Sequence, residues 1–145
     1  MAEITERESL VGARPQTSAA ERSVQAFRLL QVGFIVAPTL AGLDKFFHLL
    51  VNWDKYLAPA IARMLPIPGH TFMLVVGGVE IAAGLLVALK PRIGGLVVAA
   101  WLAGIVLNLV LGATYWDIAL RDVGLMIGAV ALSRLASPGT ALAKR

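Results

Sequence analysis

Seven residues hold most of the chemistry open to this sequence: Asp44, Lys45 and His48 within five positions, then Glu80, Asn108, and the adjacent Arg121 and Asp122. Each lies within a long apolar stretch, where an ionised side chain costs at least about 2.5–3.5 kcal/mol and persists only beside a partner or water. Asp44, Glu80 and Asp122 against Lys45 and Arg121 come close to neutralising one another, and Asn108 can complete hydrogen bonds among them. Two roles follow for such a group. A deep carboxylate that no base reaches stays neutral and can relay a proton, while a neighbouring base can hold a carbonyl or oxyanion. The plainer role is a satisfied ion-pair cluster that fixes helix register and does no chemistry, and it carries more weight here. Lys45 taken alone could equally snorkel to the membrane surface.

Other chemistries find little footing. The chain contains no Cys, so it forms no disulfide and offers no thiolate to a cluster or a metal. His48 and His70 could be imagined as axial haem ligands, but both fall near a membrane interface where a haem would be poorly shielded, and they read as hydrogen-bonding residues. No metal site is expected from two separated His, and no phosphate loop or nucleophile elbow is present. Trp53, Tyr56, Tyr115 and Trp116 read as interface anchors and not as a substrate cage.

The elements that must position these groups are helices in lipid. Of 145 residues, 58% are hydrophobic and 15% charged, against about 25% charged in a soluble domain. The formal charge of +4 and pI of about 10.0 do not mark a nucleic-acid binder, because the basic residues are scattered between apolar runs. A hydrocarbon core about 30 Å thick needs roughly 20 apolar helical residues. Four stretches qualify, at about 27–51, 70–89, 93–113 and 115–135. Counted inward from the outer ends at 1.5 Å per residue, Asp44, Asn108, Arg121 and Asp122 lie roughly 5–12 Å deep and Glu80 roughly 15 Å, which places them in one layer.

The expected fold is all-α: a transmembrane four-helix bundle over residues 23–136, with a short interfacial segment between Trp53 and Leu65. A polar arm, 1–22, precedes it and a basic tail, 137–145, follows. Pro38 is expected to kink the first span. Small residues at helix-packing intervals, Gly77 and Gly84, Gly104 and Gly112, Gly124 and Gly128, mark the faces expected to pack inward, and Gly77-Gly78 and Gly94-Gly95 read as further contacts. Basic residues gather before the first span, at Lys90 and Arg92, and at the end of the chain, which puts both termini on the cytoplasmic side of a cell membrane. Lys55 and Arg63 in the first outer loop run against that bias without reversing it.

Four segments resemble the DoxX family of small four-helix membrane proteins: Ala41-Gly42-Leu43-Asp44-Lys45-Phe46, Gly78-Val79-Glu80-Ile81-Ala82-Ala83-Gly84-Leu85-Leu86, Pro91-Arg92-Ile93-Gly94-Gly95 and Arg121-Asp122-Val123-Gly124-Leu125. Gly42 and Lys45, Glu80 and Gly84, and Arg121 and Asp122 match positions of that family's pattern. The resemblance implies a place beside membrane redox chemistry, and the absence of Cys removes a direct thiol role. The expected function is a non-catalytic, accessory subunit of a redox or respiratory assembly, not a stand-alone enzyme. Its partners would be lipid and other membrane subunits or further copies of itself, with no nucleic acid. No cofactor is evident, and a quinone is the one the polar layer could serve. A quinone-linked oxidoreductase component and a small transporter or channel are the alternatives.

Overall fold

A computed structural model of the chain describes residues 18–137. The described residues are helical, without strands. Helix α1 spans Ala19–Phe47, a 3₁₀ turn Trp53–Tyr56, α2 Pro59–Ala62, α3 Gly69–Leu89, α4 Pro91–Gly112 and α5 Trp116–Leu135. Three of these, α1, α3 and α4, are long and apolar enough to cross a bilayer, which makes this a membrane protein. Helix α5 is long enough but carries Asp117, Arg121, Asp122 and Arg134 within its 20 residues.

Helix α1 begins well before the expected start near Phe27. Ser18 and Glu21 form a capping box: the Glu21 N–H donates to Ser18 Oγ at 3.2 Å and the Ser18 N–H to Glu21 Oε2 at 2.8 Å. Two of the orphan amides of the first turn are thereby satisfied, so residues 19–22 belong to the helix and not to the polar arm. The rest of the arm and the tail beyond Ser137 lie outside the described residues. The helix also ends earlier, at Phe47, because His48 adopts a left-handed conformation (φ 53°) as its C-cap. Pro38 lies within a helix that continues through it, and the adjacent Thr39 hydroxyl donates to the Ile35 carbonyl at 2.6 Å.

The interfacial segment does not form one helix from Trp53 to Leu65. It breaks at Leu57-Ala58 into the 3₁₀ turn and the single-turn α2, with Pro59 at the first helical position, where its missing N–H costs nothing.

The four long helices associate as two close pairs, α1 with α3 and α4 with α5, joined mainly through α3 and α4. Lys90 alone separates α3 from α4. That sharp reversal depends on Gly94, where a Cβ would stand 2.6 Å from the backbone of Val87. The α1–α3 pair depends on Gly42 and Gly77, whose added Cβ atoms would each collide with the carbonyl of the other, and on Gly84 against Thr39 and Ile35. Gly95 plays the same part for α4 against Ala129 and Ser133 of α5, and Gly128 accepts the Phe34 ring. Gly112 rests at ordinary distance on Ala58 of the loop.

Gly78, Gly104 and Gly124 depart from the expected pattern: an added Cβ at any of them meets nothing within 4 Å. They border open space and not a neighbouring helix.

The apolar core, including Phe34, Val87, Val98, Ala129 and Leu132, is tight toward the Lys90 end. The outward faces are apolar too. Val32, Val36, Leu40 and Leu43 form an exposed stripe on α1, and Leu120, Ile127 and Val130 do so on α5. In water this surface would be strongly unfavourable, whereas acyl chains cover it without cost.

Candidate functional site

Away from the tight end, the bundle opens into a cleft of about 1060 Å³. Its origin lies in side-chain size. Phe34 closes onto Gly128, but at Gly124, one turn further along α5, nothing fills the gap, and Gly33 and Gly104 leave similar room on α1 and α4. The trough is lined by apolar groups such as Leu30, Phe34, Met73, Leu102 and Leu125. From Leu29 to Lys45 it follows α1 for about 24 Å at 1.5 Å per residue.

Polar groups gather at the loop end of this trough. Lys45 Nζ lies 2.6 Å from Glu80 Oε2, and both side chains are buried, at 3% and 8% exposure. The same ammonium sits 3.8 Å from the centroid of the Trp53 ring, and the Trp53 indole N–H donates to Asp44 Oδ2 at 2.7 Å. Asp44, Trp53, Lys45 and Glu80 thus form one connected chain of charge-assisted contacts. Glu80, the deepest carboxylate, is reached by a base, and Lys45 pairs inward instead of snorkelling.

Asp44 has a second task. Its Oδ1 accepts the N–H groups of Leu49 and Leu50 at 2.9 Å each, and its Oδ2 accepts that of Val51 at 3.4 Å. These amides follow the end of α1, and a buried carboxylate that gathers them fixes how the chain leaves the helix. Asn108 does equivalent work from α4: its Oδ1 accepts the Ala58 N–H at 2.9 Å and its Nδ2 donates to the Tyr56 carbonyl at 2.7 Å. The loop is therefore pinned over the cleft mouth from two helices. Tyr56 packs edge-on against Tyr115 with centroids 4.7 Å apart, and Trp53 and Tyr56 both line the cleft. Three of the four expected interface anchors are consequently parts of this cover, while Trp116 stays exposed.

The expected polar layer is not uniformly buried. Asp44, Lys45, Glu80 and Asp122 are buried, and Asn108 is half-buried. His48 is exposed beyond the end of α1, because its left-handed cap conformation turns it away from the helix face that Asp44 occupies. Arg121 is also exposed, at 64%, with its Nη2 3.0 Å from Asp122 Oδ1 and its Nε at the same distance. It borders the cleft, together with Asp122. Asp122 lies close enough to Glu80 for their charges to interact.

One cleft residue was missing from the sequence-based set. The Trp101 indole nitrogen is buried and faces Glu80, to which it makes at most a weak, poorly aligned hydrogen bond. The available signal was Trp101 itself, the single aromatic residue of α4, placed two turns from Asn108 on the same face.

No family model, curated protein or solved structure matches the chain.

Proposed function

We propose that this chain crosses the membrane four times and serves as an accessory subunit of a membrane redox assembly, in the manner the DoxX resemblance implies, by holding a quinone-like amphiphile in its cleft. The carrying observation is the apolar trough that ends at buried polar groups, the weakly bonded Trp101 donor among them. A carbonyl head group would accept from that N–H, and its isoprenoid tail would lie along the trough toward Leu30. Arg121, exposed at the same end, supplies a second donor. Asp44 and Asn108 are occupied by loop backbone and serve to keep the cover closed.

The fourth span in this reading is α5. Its charges reduce its overall hydropathy, but Asp122 points inward and Arg121 borders the cleft, while Leu120, Ile127 and Val130 face outward as a lipid contact requires. An even number of spans puts both termini on one side, and the distribution of basic residues makes that side cytoplasmic.

The test is direct. Protein purified in mild detergent is extracted with organic solvent and the extract analysed for quinones by mass spectrometry, and a short-chain quinone is titrated against Trp fluorescence in nanodiscs. Gly124→Leu fills the trough where there is room for a side chain, so it should weaken binding at least tenfold with the fold intact. Trp101→Phe should weaken it as well, by removing the donor while keeping the ring. Saturable binding unchanged in both variants, or none in the parent chain, would dismiss the reading. Affinity capture of the same preparation should bring down larger redox subunits.

A further inference from the structure

Outside the cleft, three elements converge at the loop end. His48 caps the C-terminus of α1, Asp54 lies in the 3₁₀ turn and His70 lies in the first turn of α3. One ligand atom from each falls within 4.8 Å of the other two. The imidazoles face each other with centroids 5.5 Å apart and planes 24° from parallel, and His70 Nδ1 is 2.9 Å from Asp54 Oδ2. The other oxygen of Asp54 is buried and has no hydrogen-bond partner.

We propose that His48, Asp54 and His70 bind a divalent first-row transition ion, with Zn²⁺ as the fitting probe, and that the ion clamps the loop cover to α1 and α3. Two imidazoles and one carboxylate match the ligand preferences of this class. Zn–N and Zn–O distances of about 2.0–2.2 Å put tetrahedral ligands about 3.4 Å apart, so side-chain rotations that close the wider spacings by up to about 1.4 Å and open the 2.9 Å His70–Asp54 pair slightly complete the site. Water fills the fourth position.

The backbone favours this arrangement. A non-glycine residue at positive φ is uncommon, and His48 is held there because Asp44 grips the amides of Leu49 and Leu50 immediately after it. The cap geometry therefore aims the His48 ring at His70 independently of any metal. His70 and Asp54 keep 54% and 36% of their side-chain surface, so an ion can reach them from water. The carbonyl end of α1 attracts a cation and the N-terminus of α3 repels one, so the helix dipoles largely offset each other and the ligands decide. On binding, each neutral imidazole coordinates through one ring nitrogen and keeps its N–H on the other.

The chain has two His and no Cys, so a nitrogen-ligated site can form nowhere else in it. The experiment uses tag-free full-length protein in detergent, titrated with Zn²⁺ against a chromophoric chelator, with Co²⁺ absorption reporting ligand type. One equivalent per chain is expected, and His70→Gln and Asp54→Asn should each weaken binding at least about tenfold. His48→Asn should do the same without disturbing the cap, because Asn tolerates the left-handed region. Helix content by circular dichroism confirms that each variant is folded. Absence of saturable Zn²⁺ binding to the parent chain, or affinity unchanged in the folded His48→Asn/His70→Gln double variant, overturns the proposal.

Discussion

Replacing Lys45 with Met tests the physical account of the bundle most sharply. The substitution keeps side-chain length and apolar volume while deleting the charge that compensates Glu80. The pair is 2.6 Å apart with 3% and 8% of its side-chain surface exposed, so little solvent can take over the screening. Removing one member of a buried pair costs about 3–5 kcal/mol, or roughly two to three and a half orders of magnitude in the folding equilibrium. Loss of the ammonium from the Trp53 face adds to this, since a desolvated cation–π contact contributes up to about 2 kcal/mol. The double variant Lys45→Met/Glu80→Met removes both charges and should recover most of the loss, because an apolar pair of similar volume is often no worse than a buried ion pair. Reversible denaturation in mixed detergent micelles, followed by circular dichroism, gives all four corners of the cycle. A single-variant cost below about 1 kcal/mol, or a double variant as unstable as the sum of the singles, would refute the claim that these groups neutralise each other away from water.

Other outcomes follow from the same geometry. Asn108→Ala strands the Ala58 amide, on a residue 1% exposed, and should cost about 1–3 kcal/mol and accelerate hydrogen exchange in the 56–58 segment. Gly42→Ala forces a Cβ to within 2.5 Å of the Gly77 carbonyl oxygen and should destabilise by about 1–3 kcal/mol or more, whereas Gly104→Ala and Gly124→Ala meet open space and should stabilise by up to about 1 kcal/mol. Thermal melts of the three variants, compared directly, check the opposite signs. Because the chain has no Cys, single substitutions Arg22→Cys, Lys90→Cys and Arg63→Cys report topology cleanly. A membrane-impermeant maleimide applied to intact cells should label Arg63→Cys and leave the other two unmodified until the membrane is broken.

The legibility of this protein from its residues divides along a physical line. Span length and hydropathy are local properties that lipid reads directly, so α3, α4 and the body of α1 were visible as membrane helices, and the acids and bases stood out because each is costly there. Apolar length gave no sign that α1 begins at Ala19, although Ser18 and Glu21 do spell a capping box. Nor could spacing along a helix distinguish a glycine that meets a neighbour from one that borders space. Gly77 and Gly84 pack while Gly104 and Gly124 do not, and the difference lies in what the opposite helix presents. Position along the spans likewise grouped His48 and Arg121 with the buried layer, but the left-handed cap puts one on the surface and the cleft exposes the other.

Residue type alone determined that this chain needs a bilayer and that its buried charges need partners, because transfer free energies depend on composition and length. Only the tertiary structure decided which partner each charge takes, that Asp44 and Asn108 serve the loop, and that His48, Asp54 and His70 meet, because those distances depend on how separate helices and a 21-residue connection are arranged in space.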